Sequence, residues 1–496
     1  MTRPSSSELQ HAAVITFAHG LVTAALNRLL HAPDSQFVGD SLRALVDALR
    51  RAHLLGVEMP LQLQFSDDRM FFDGTPLDGP SLQAGLFLRH CNERHIAMLS
   101  FHPDVDVDQL NRCFDLLLLT HNKDALRRDN RDVAMWALGI RHVRVVLRSP
   151  GNPGDRRSPV DDSAALHQYQ ELASLMQQNH VRAHRDLEIA VDEASGIVER
   201  TVATFDEPSA LLALATQDDV DRFTVGHSVR VALLALQVAR ELDASREQLV
   251  HIGTAALLHD IGKAKVPQEI LFKRGRLTAE EWQLMAQHPR LGAQILLEQH
   301  DDVDAITIGA AFCHHLGPTG LGYPQPTLPI VPSGASRLIR VCDVFEALTA
   351  VRPYKKALTP IEAYAVMFRN EKDFDGTWLR RFVRTLGLFP TGTRVRLDDG
   401  SEALVINQGQ RASQPVVRLL TGPGGSDLPA GHADRVLVGV AVEGQVRTIA
   451  AVSTHDRSIE VPGFEPDAPE VLTACAHDAC LSTSMTKDVA SHEPAG

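Results

Sequence analysis

A change of hydrophobic period divides this chain before any single residue is considered. Across residues 163–388 apolar side chains recur every third or fourth position, as in SVRVALLALQVARELDAS and IGTAALLHDIG. That spacing lines one stripe of a helix and has no use in a strand, so the segment is expected to be an all-α domain. On either side the period falls to two. Residues 1–147 mix helical runs at 8–32 and 41–55 with LQLQFSDDRMFFDG, which alternates about a turn and predicts a hairpin. HIAMLSF predicts a buried strand, DVDQLNRCFDLLLL a helix entered at an acidic cap, and RHVRVVL a closing strand, so this part is an α+β domain with an unidentified sensory or regulatory input. Residues 148–162, RSPGNPGDRRSPVDD, cluster Gly, Pro, Ser and charge without a period and predict a linker. After residue 389, TRVRLDDGSEALVI alternates around an Asp399-Gly400 turn, and PVVRLL continues the pattern. A small all-β domain, barrel or sandwich, is expected over 389–455, with a disordered tail over 456–496. The expected fold class is multidomain: a central all-α domain, an N-terminal α+β domain and a small C-terminal all-β domain.

Composition bounds the function classes. A length of 496 residues exceeds one compact core. The formal charge of −13 gives no general footprint for DNA or an anionic membrane, so an anionic ligand must find local basic groups. No run approaches the roughly 18 consecutive apolar residues of a membrane span, and MTRPSSSELQHAA lacks the apolar stretch of a signal peptide, so the cytoplasm is the expected default compartment. Six scattered cysteines form no framework of pairs and are expected to be reduced; Cys475 and Cys480 flank His477 in CAHDAC, within the expected tail. His90, His95, His102 and His121 have no carboxylate at ligand spacing and are expected to be ordinary surface or core residues.

Chemistry concentrates in the helical segment. His227 lies in TVGHSVRV, His259 and Asp260 end the apolar run AALLHDIGK, and His288 precedes a proline in AQHPRLG. His314 and His315 end another apolar helix, AITIGAAFCHHLG, and Asp343 sits inside RLIRVCDVFEALTA. Singly, His227 would be a packed histidine. An apolar run that delivers His and Asp side by side is different, because burying ionisable groups is expensive unless a charge compensates. Imidazole and carboxylate are the donors that divalent transition metals favour. Seven such side chains exceed the three or four that one zinc takes, so two metal ions are expected, with the Asp260 carboxylate as the natural bridge. Lys263 follows one turn after the His-Asp pair, placed to orient a phosphate oxygen or stabilise a leaving group. Arg352, Lys355 and Lys356 in VRPYKKALTP form a basic patch suited to phosphate, and Gly322, Tyr323 and Pro324 close the stretch after the paired histidines on a turn.

The ordered motifs HSVRV, LLHDIGKAKVP, ILFKRGRLTAEEW, QHPRLGAQIL, HH, GYP and CDVFEALTAVRPYKKAL, over residues 223–388, resemble the HD-GYP domains of bacterial signalling proteins. The resemblance implies an all-helical HD-type fold, a centre of iron or manganese, and phosphodiesterase activity on cyclic di-GMP giving pGpG or GMP. Carried onto matching positions, it implies metal ligands His227, His259, Asp260, His288, His314, His315 and Asp343, catalytic assistance from Lys263, and phosphate contacts from Arg352 and Lys355. Trinuclear members have a glutamate where this chain has Phe223, so two ions are expected. The family pattern HHERxDGxGYP is here HHLGPTGLGYP, with Leu316, Gly317 and Thr319 in place of Glu, Arg and Asp. Losing both partners of an ion pair together is milder than orphaning one, so the metal ligands can survive while the loop changes.

Three functions stay open on this sequence. The leading one is a cyclic di-GMP phosphodiesterase. The second is a weak or inactive module that binds cyclic di-GMP or a partner protein. The third hydrolyses another cyclic dinucleotide or phosphoester. The expected partners are the cyclic dinucleotide, signalling proteins and a second copy of the chain.

Overall fold

The computed structural model describes residues 6–66, 69–118, 135–148, 162–204, 225–271, 273, 275–298, 303–350, 357–370, 373–409, 411–426, 435–438, 441–442, 445–453 and 458–460. The chain forms two compact units, Met1–Leu233 with Ser245–Phe312, and Leu234–Ala244 with Cys313–Gly496. The first cut falls inside the helical region expected over 163–388.

In the first unit, helices Ser6–Leu30 and Gln36–Leu54 come first, the second started by Ser35, whose hydroxyl accepts from the Val38 amide. Leu9–Leu30 is long and apolar enough to cross a membrane, and half of it is buried; Phe17, Leu21 and Val22 are fully covered. Strands β1 (Leu61–Phe65), β2 (Met70–Phe72), β3 (Thr75–Pro76), β4 (Ile96–Phe101) and β5 (Val143–Leu147) form an antiparallel sheet in the order β3-β2-β1-β4-β5. β1 alternates buried and exposed, as its LQLQF pattern requires, and pairs with β2 through Gln64 opposite Phe71. The Asp106 carboxylate starts helix Val107–Leu118 by accepting from the Gln109 amide at 2.8 Å. The expected α+β order is therefore observed.

Helix Asp162–His184 is fastened to this part by buried amides. Gln170 Nε2 donates to the Ser81 carbonyl at 2.6 Å, and Gln177 Nε2 donates to that of Gln83 at 3.2 Å. Such bonds, formed away from water, cost more to break than surface ones. They tie this helix to the first unit; residues 149–161 of the expected linker lie outside the described residues. Helices Val191–Thr204, Arg246–Leu258, Ala279–Met285 and His288–Leu297 follow. The expected capping box is formed: Thr278 Oγ1 accepts from the Glu281 amide at 3.3 Å, and Glu281 Oε2 accepts from the Thr278 amide at 2.7 Å.

The second unit carries helices Gly334–Thr349, Pro360–Arg369 and Gly376–Leu386, joined by the aromatic cluster Phe345, Tyr364 and Phe382. Strands β6 (Arg394–Leu397), β7 (Glu402–Asn407), β8 (Val416–Leu419), β9 (Arg435–Leu437), β10 (Ala441–Val442), β11 (Gln445–Val446), β12 (Ile449–Ser453) and β13 (Ser458–Glu460) follow. Six of them form one sheet in the order β13-β12-β6-β7-β8-β9 over a core that includes Phe389, Val395, Val405 and Val417. β13 corrects the expectation that the disordered tail begins at 456: it pairs with β12 through Val452 opposite Ile459. Three residues are too short to register a period, so only the pairing reveals the strand. The rest of the expected tail from 461, with Cys475, His477 and Cys480, lies outside the described residues.

Candidate metal centre

Asp260 is the focus of the first unit's cluster. Helix Arg246–Leu258, entered through a capping box between Ser245 and Gln248, carries the apolar run inward and stops just before the ionisable pair. His259 caps it, Asp260 leaves helical geometry at φ −101°, ψ 9°, and Ile261–Lys265 continues as a 3₁₀ turn. The α-helix therefore does not persist to Lys263, yet the tighter turn preserves the three-residue contact: Lys263 Nζ lies 2.5 Å from Asp260 Oδ2. His259 and Asp260 are fully buried and His288 is nearly so.

The tautomers of two histidines follow from their partners. His259 Nδ1 lies 2.7 Å from the Ala256 carbonyl and His288 Nδ1 lies 2.8 Å from that of Met285. A carbonyl only accepts, so both Nδ1 atoms donate, and the neutral rings present lone pairs at Nε2. Those lone pairs face a carboxylate: His259 Nε2 is 3.4 Å from Asp260 Oδ2, and His288 Nε2 is 3.2 Å from Asp260 Oδ1. His227 Nε2 lies 3.5 Å from Asp260 Oδ2. Acceptors turned toward acceptors in a buried space repel unless a cation stands among them. His227, His259 and Asp260 offer donor atoms within 4.8 Å of one another, so the set fits a metal ion. The backbone carbonyls behind His259 and His288 are the support that metal-binding imidazoles usually have. Burial alone would raise the Asp260 carboxyl's pKa; the Lys263 ammonium is the largest of the causes that oppose it, and the group is held well below its ordinary value.

A close backbone approach sets this geometry. A Cβ on Gly262 would lie 1.9 Å from the His288 carbonyl oxygen and 2.4 Å from the Gly292 nitrogen. Only glycine lets the 3₁₀ turn and helix His288–Leu297 come close enough to put His288 beside Asp260. Sequence reading missed Gly262 and Gly292; the glycine in each motif was the available signal. Behind the turn, His184 Nδ1 donates to the Ala264 carbonyl at 3.1 Å and Lys265 pairs with Asp186.

In the second unit His314 is fully buried, and its ring centroid lies 4.1 Å from that of His315. His315 stacks on Tyr323 at 4.4 Å and 26°, and its Nδ1 is 3.8 Å from Asp343 Oδ2, a buried carboxylate on helix Gly334–Thr349. The loop between is held without the family's charged pair. Leu316 is buried and bridges Gly322 as an isolated β-pair, and the Gly317 amide donates to the Leu321 carbonyl at 2.7 Å. Gly322, at φ +136°, leaves only 2.2 Å between an added Cβ and the His315 carbonyl oxygen, so glycine is required.

Among the predicted site residues, His227, His259, Asp260, Lys263 and His288 meet in the first unit, and His314, His315, Gly322, Tyr323 and Asp343 in the second. Arg352, Lys355 and Lys356, and Phe223, lie outside the described residues. One grouping was not foreseen: His102, Asp104 and His142 also bring donor atoms within 4.8 Å. Here Gln109 argues against a metal. Its Oε1 accepts from the Arg141 and His142 amides, which makes Nε2 the donor to His142 Nδ1 at 3.1 Å and occupies that lone pair.

Residues 212–378 match the HD domain family. A cyclic di-GMP phosphodiesterase of Pseudomonas aeruginosa is 38% identical over 222 residues, 45% of this chain and 52% of that one. The cyclic di-GMP phosphodiesterase response regulator RpfG of Xanthomonas campestris is 36% identical over 28% of this chain and 37% of its own. A 3′3′-cGAMP-specific phosphodiesterase of Vibrio cholerae is 37% identical over 30% and 32% respectively. The chain thus spans about half or less of the length of these relatives.

Proposed function

The chain belongs to the HD domain family through residues 212–378, its resemblance running to the HD-GYP branch, and from that premise we propose that it is a metal-dependent phosphodiesterase of cyclic dinucleotides. The substrate in this reading is cyclic di-GMP, and the products are pGpG and GMP. The observation that carries it is the pair of buried imidazoles, His259 and His288, whose lone pairs are turned onto the Asp260 carboxylate. That arrangement calls for a cation, and a protein that buries one beside a lysine is equipped for phosphate chemistry.

In this reading His227, His259, Asp260, His288, His314, His315 and Asp343 would hold two divalent ions, iron or manganese, with Asp260 as the expected shared carboxylate. Such a pair supplies an activated water at neutral pH and charge stabilisation at the phosphoryl group. Lys263, whose ammonium pairs with the Asp260 carboxylate at 2.5 Å, would offer that charge to a phosphate oxygen. Arg352 and Lys355 neutralise further phosphate charge, while Gly322 and Tyr323 shape the side of the pocket next to His315. The surrounding organisation in this reading is an α+β regulatory domain over 1–147, a linker over 148–162, the catalytic helices over 163–388, a small β-barrel-like domain that runs from 389 through strand Ser458–Glu460, and a tail beyond it. The protein acts in the cytoplasm of a bacterium, as a homodimer, with signalling proteins as partners.

The replaced loop favours a second reading, a module that binds cyclic di-GMP or a partner without turnover, since Leu316, Gly317 and Thr319 leave the loop without the family's charged side chains. One assay separates the two. The full chain with Mn²⁺ or anaerobic Fe²⁺ is expected to convert cyclic di-GMP to linear product, and Asp260→Ala to lose metal and at least about 100-fold in rate. Full metal occupancy with no turnover of cyclic di-GMP would leave the binding module; turnover of 3′3′-cGAMP instead would move the substrate and keep the chemistry.

A further inference from the structure

We propose that Arg340 is a phosphate-binding residue of this site, an assignment that rests on the phosphodiester reading above and adds a contact that the motifs did not supply. Arg340 stands one turn before Asp343 on helix Gly334–Thr349, so both side chains leave the same face. Its Nε–H donates to the Asp373 carbonyl at 2.7 Å, and its guanidinium lies 5.5 Å from the centre of the Phe374 ring. These two contacts fix the plane of the group while using one of its five N–H donors. Among the described residues no partner takes the four donors on Nη1 and Nη2.

Arg337, a turn earlier, shows what a structural arginine looks like on this helix. Its Nε donates to the Pro332 carbonyl at 2.9 Å and its Nη1 to Asp375 Oδ2 at 2.8 Å, so it ties the helix to two neighbouring segments. Arg340 forms no such carboxylate pair among the described residues. Burial lowers its pKa, and the groups that raise it again are Asp343, Asp373 and Tyr323. The open edge is thus in the field of a proposed metal ligand and of the tyrosine that stacks on His315. Residues 316–333 contain neither lysine nor arginine, so a phosphate on this side must take its positive charge from outside the loop. A guanidinium pinned at Nε, with its two Nη nitrogens unengaged among the described residues, is preorganised for two parallel bonds to phosphate oxygens.

The test uses the full chain with its metal and compares wild type with Arg340→Ala and Arg340→Lys by calorimetry, the probes being inorganic phosphate and pGpG. Metal content and thermal midpoint are measured on the same samples. Both probes are expected to bind Arg340→Ala about tenfold more weakly. Arg340→Lys, which keeps the charge without the fork, should fall between, with metal content unchanged in each. Should the alanine variant lose its fold, the lysine variant alone decides. Equal affinities for wild type and Arg340→Lys would overturn the assignment, as would a wild type that binds neither probe. A wild type that binds both probes through Arg340 yet leaves cyclic di-GMP intact would sink the hydrolase reading and keep this one. Turnover that is indifferent to both substitutions would do the reverse.

Discussion

Residue identity matters most where this protein has least side chain. Gly262 carries no chemistry, yet an added methyl group would collide with the His288 carbonyl oxygen at 1.9 Å. Gly262→Ala is therefore expected to lower the thermal midpoint by the equivalent of at least about 1–3 kcal/mol. It should also weaken metal binding, because relief of the clash moves His288 away from Asp260; melting and metal analysis on one sample check both. An unchanged midpoint with full metal would show that the turn yields without cost. The ligand candidates themselves were legible one by one, because imidazole and carboxylate at the ends of apolar runs conflict with burial unless something compensates. Leu316 was legible only as a departure from a pattern. Its burial and its bridge to Gly322 show that apolar packing and backbone bonding hold the loop in this chain.

Among the elements, helix starts were the easiest to read and inter-element ties the hardest. Asp375 does both jobs. It caps helix Gly376–Leu386 by accepting from the Thr377 amide at 2.9 Å, and it receives Arg337 Nη1 from helix Gly334–Thr349 at 2.8 Å. Burial works to raise its pKa, but Arg337 and the Trp378 and Thr377 amides prevail and hold it below the ordinary value. A carboxyl whose folded pKa is depressed stabilises the fold above its unfolded pKa of about 3.9 and loses that contribution as pH falls through the folded value. Asp375→Asn keeps a cap and removes the charge. It should cost about 1 kcal/mol near pH 7, and melting curves of both proteins should converge at a pH well below about 3.9, once the folded carboxyl is protonated as well. A gap of equal size at both pH values would assign the effect to the cap alone. Periodicity foretold both helices here; it could not foretell that a loop aspartate would bind them, because a separation of 38 positions between Arg337 and Asp375 carries no spacing that reports contact.

Over the whole molecule, the α+β order at the N-terminus and the helical middle follow the hydrophobic periods, while the division into compact units does not. Buried Gln170 and Gln177 carry helix Asp162–His184 into the first unit, and nothing in their spacing announces carbonyl partners 89 and 94 residues away. A bound metal would stabilise the fold by mass action, since it binds the native arrangement of His227, His259, Asp260 and His288 and not the unfolded chain. Removing it with a chelator should lower the thermal midpoint by several degrees, equivalent to about 3–4 kcal/mol where the ion stood at 100–1,000 times its Kd. Adding Mn²⁺ back should restore the midpoint. Identical melting before and after complete removal of metal would mean that the buried carboxylate is neutralised by Lys263 alone.

The meeting of Gly262 and Gly292 has a consequence for how such a protein varies. A ligand histidine can drift a little when a side chain beneath it changes size, because rotamers absorb the difference. Between these two glycines there is no rotamer to absorb anything, so the distance from His288 to Asp260 is set by peptide planes in contact. A complete substitution scan should accordingly find Gly262 as intolerant as the ligands themselves, and Gly292, where an added Cβ would stand 3.2 Å from the Gly262 nitrogen, more forgiving.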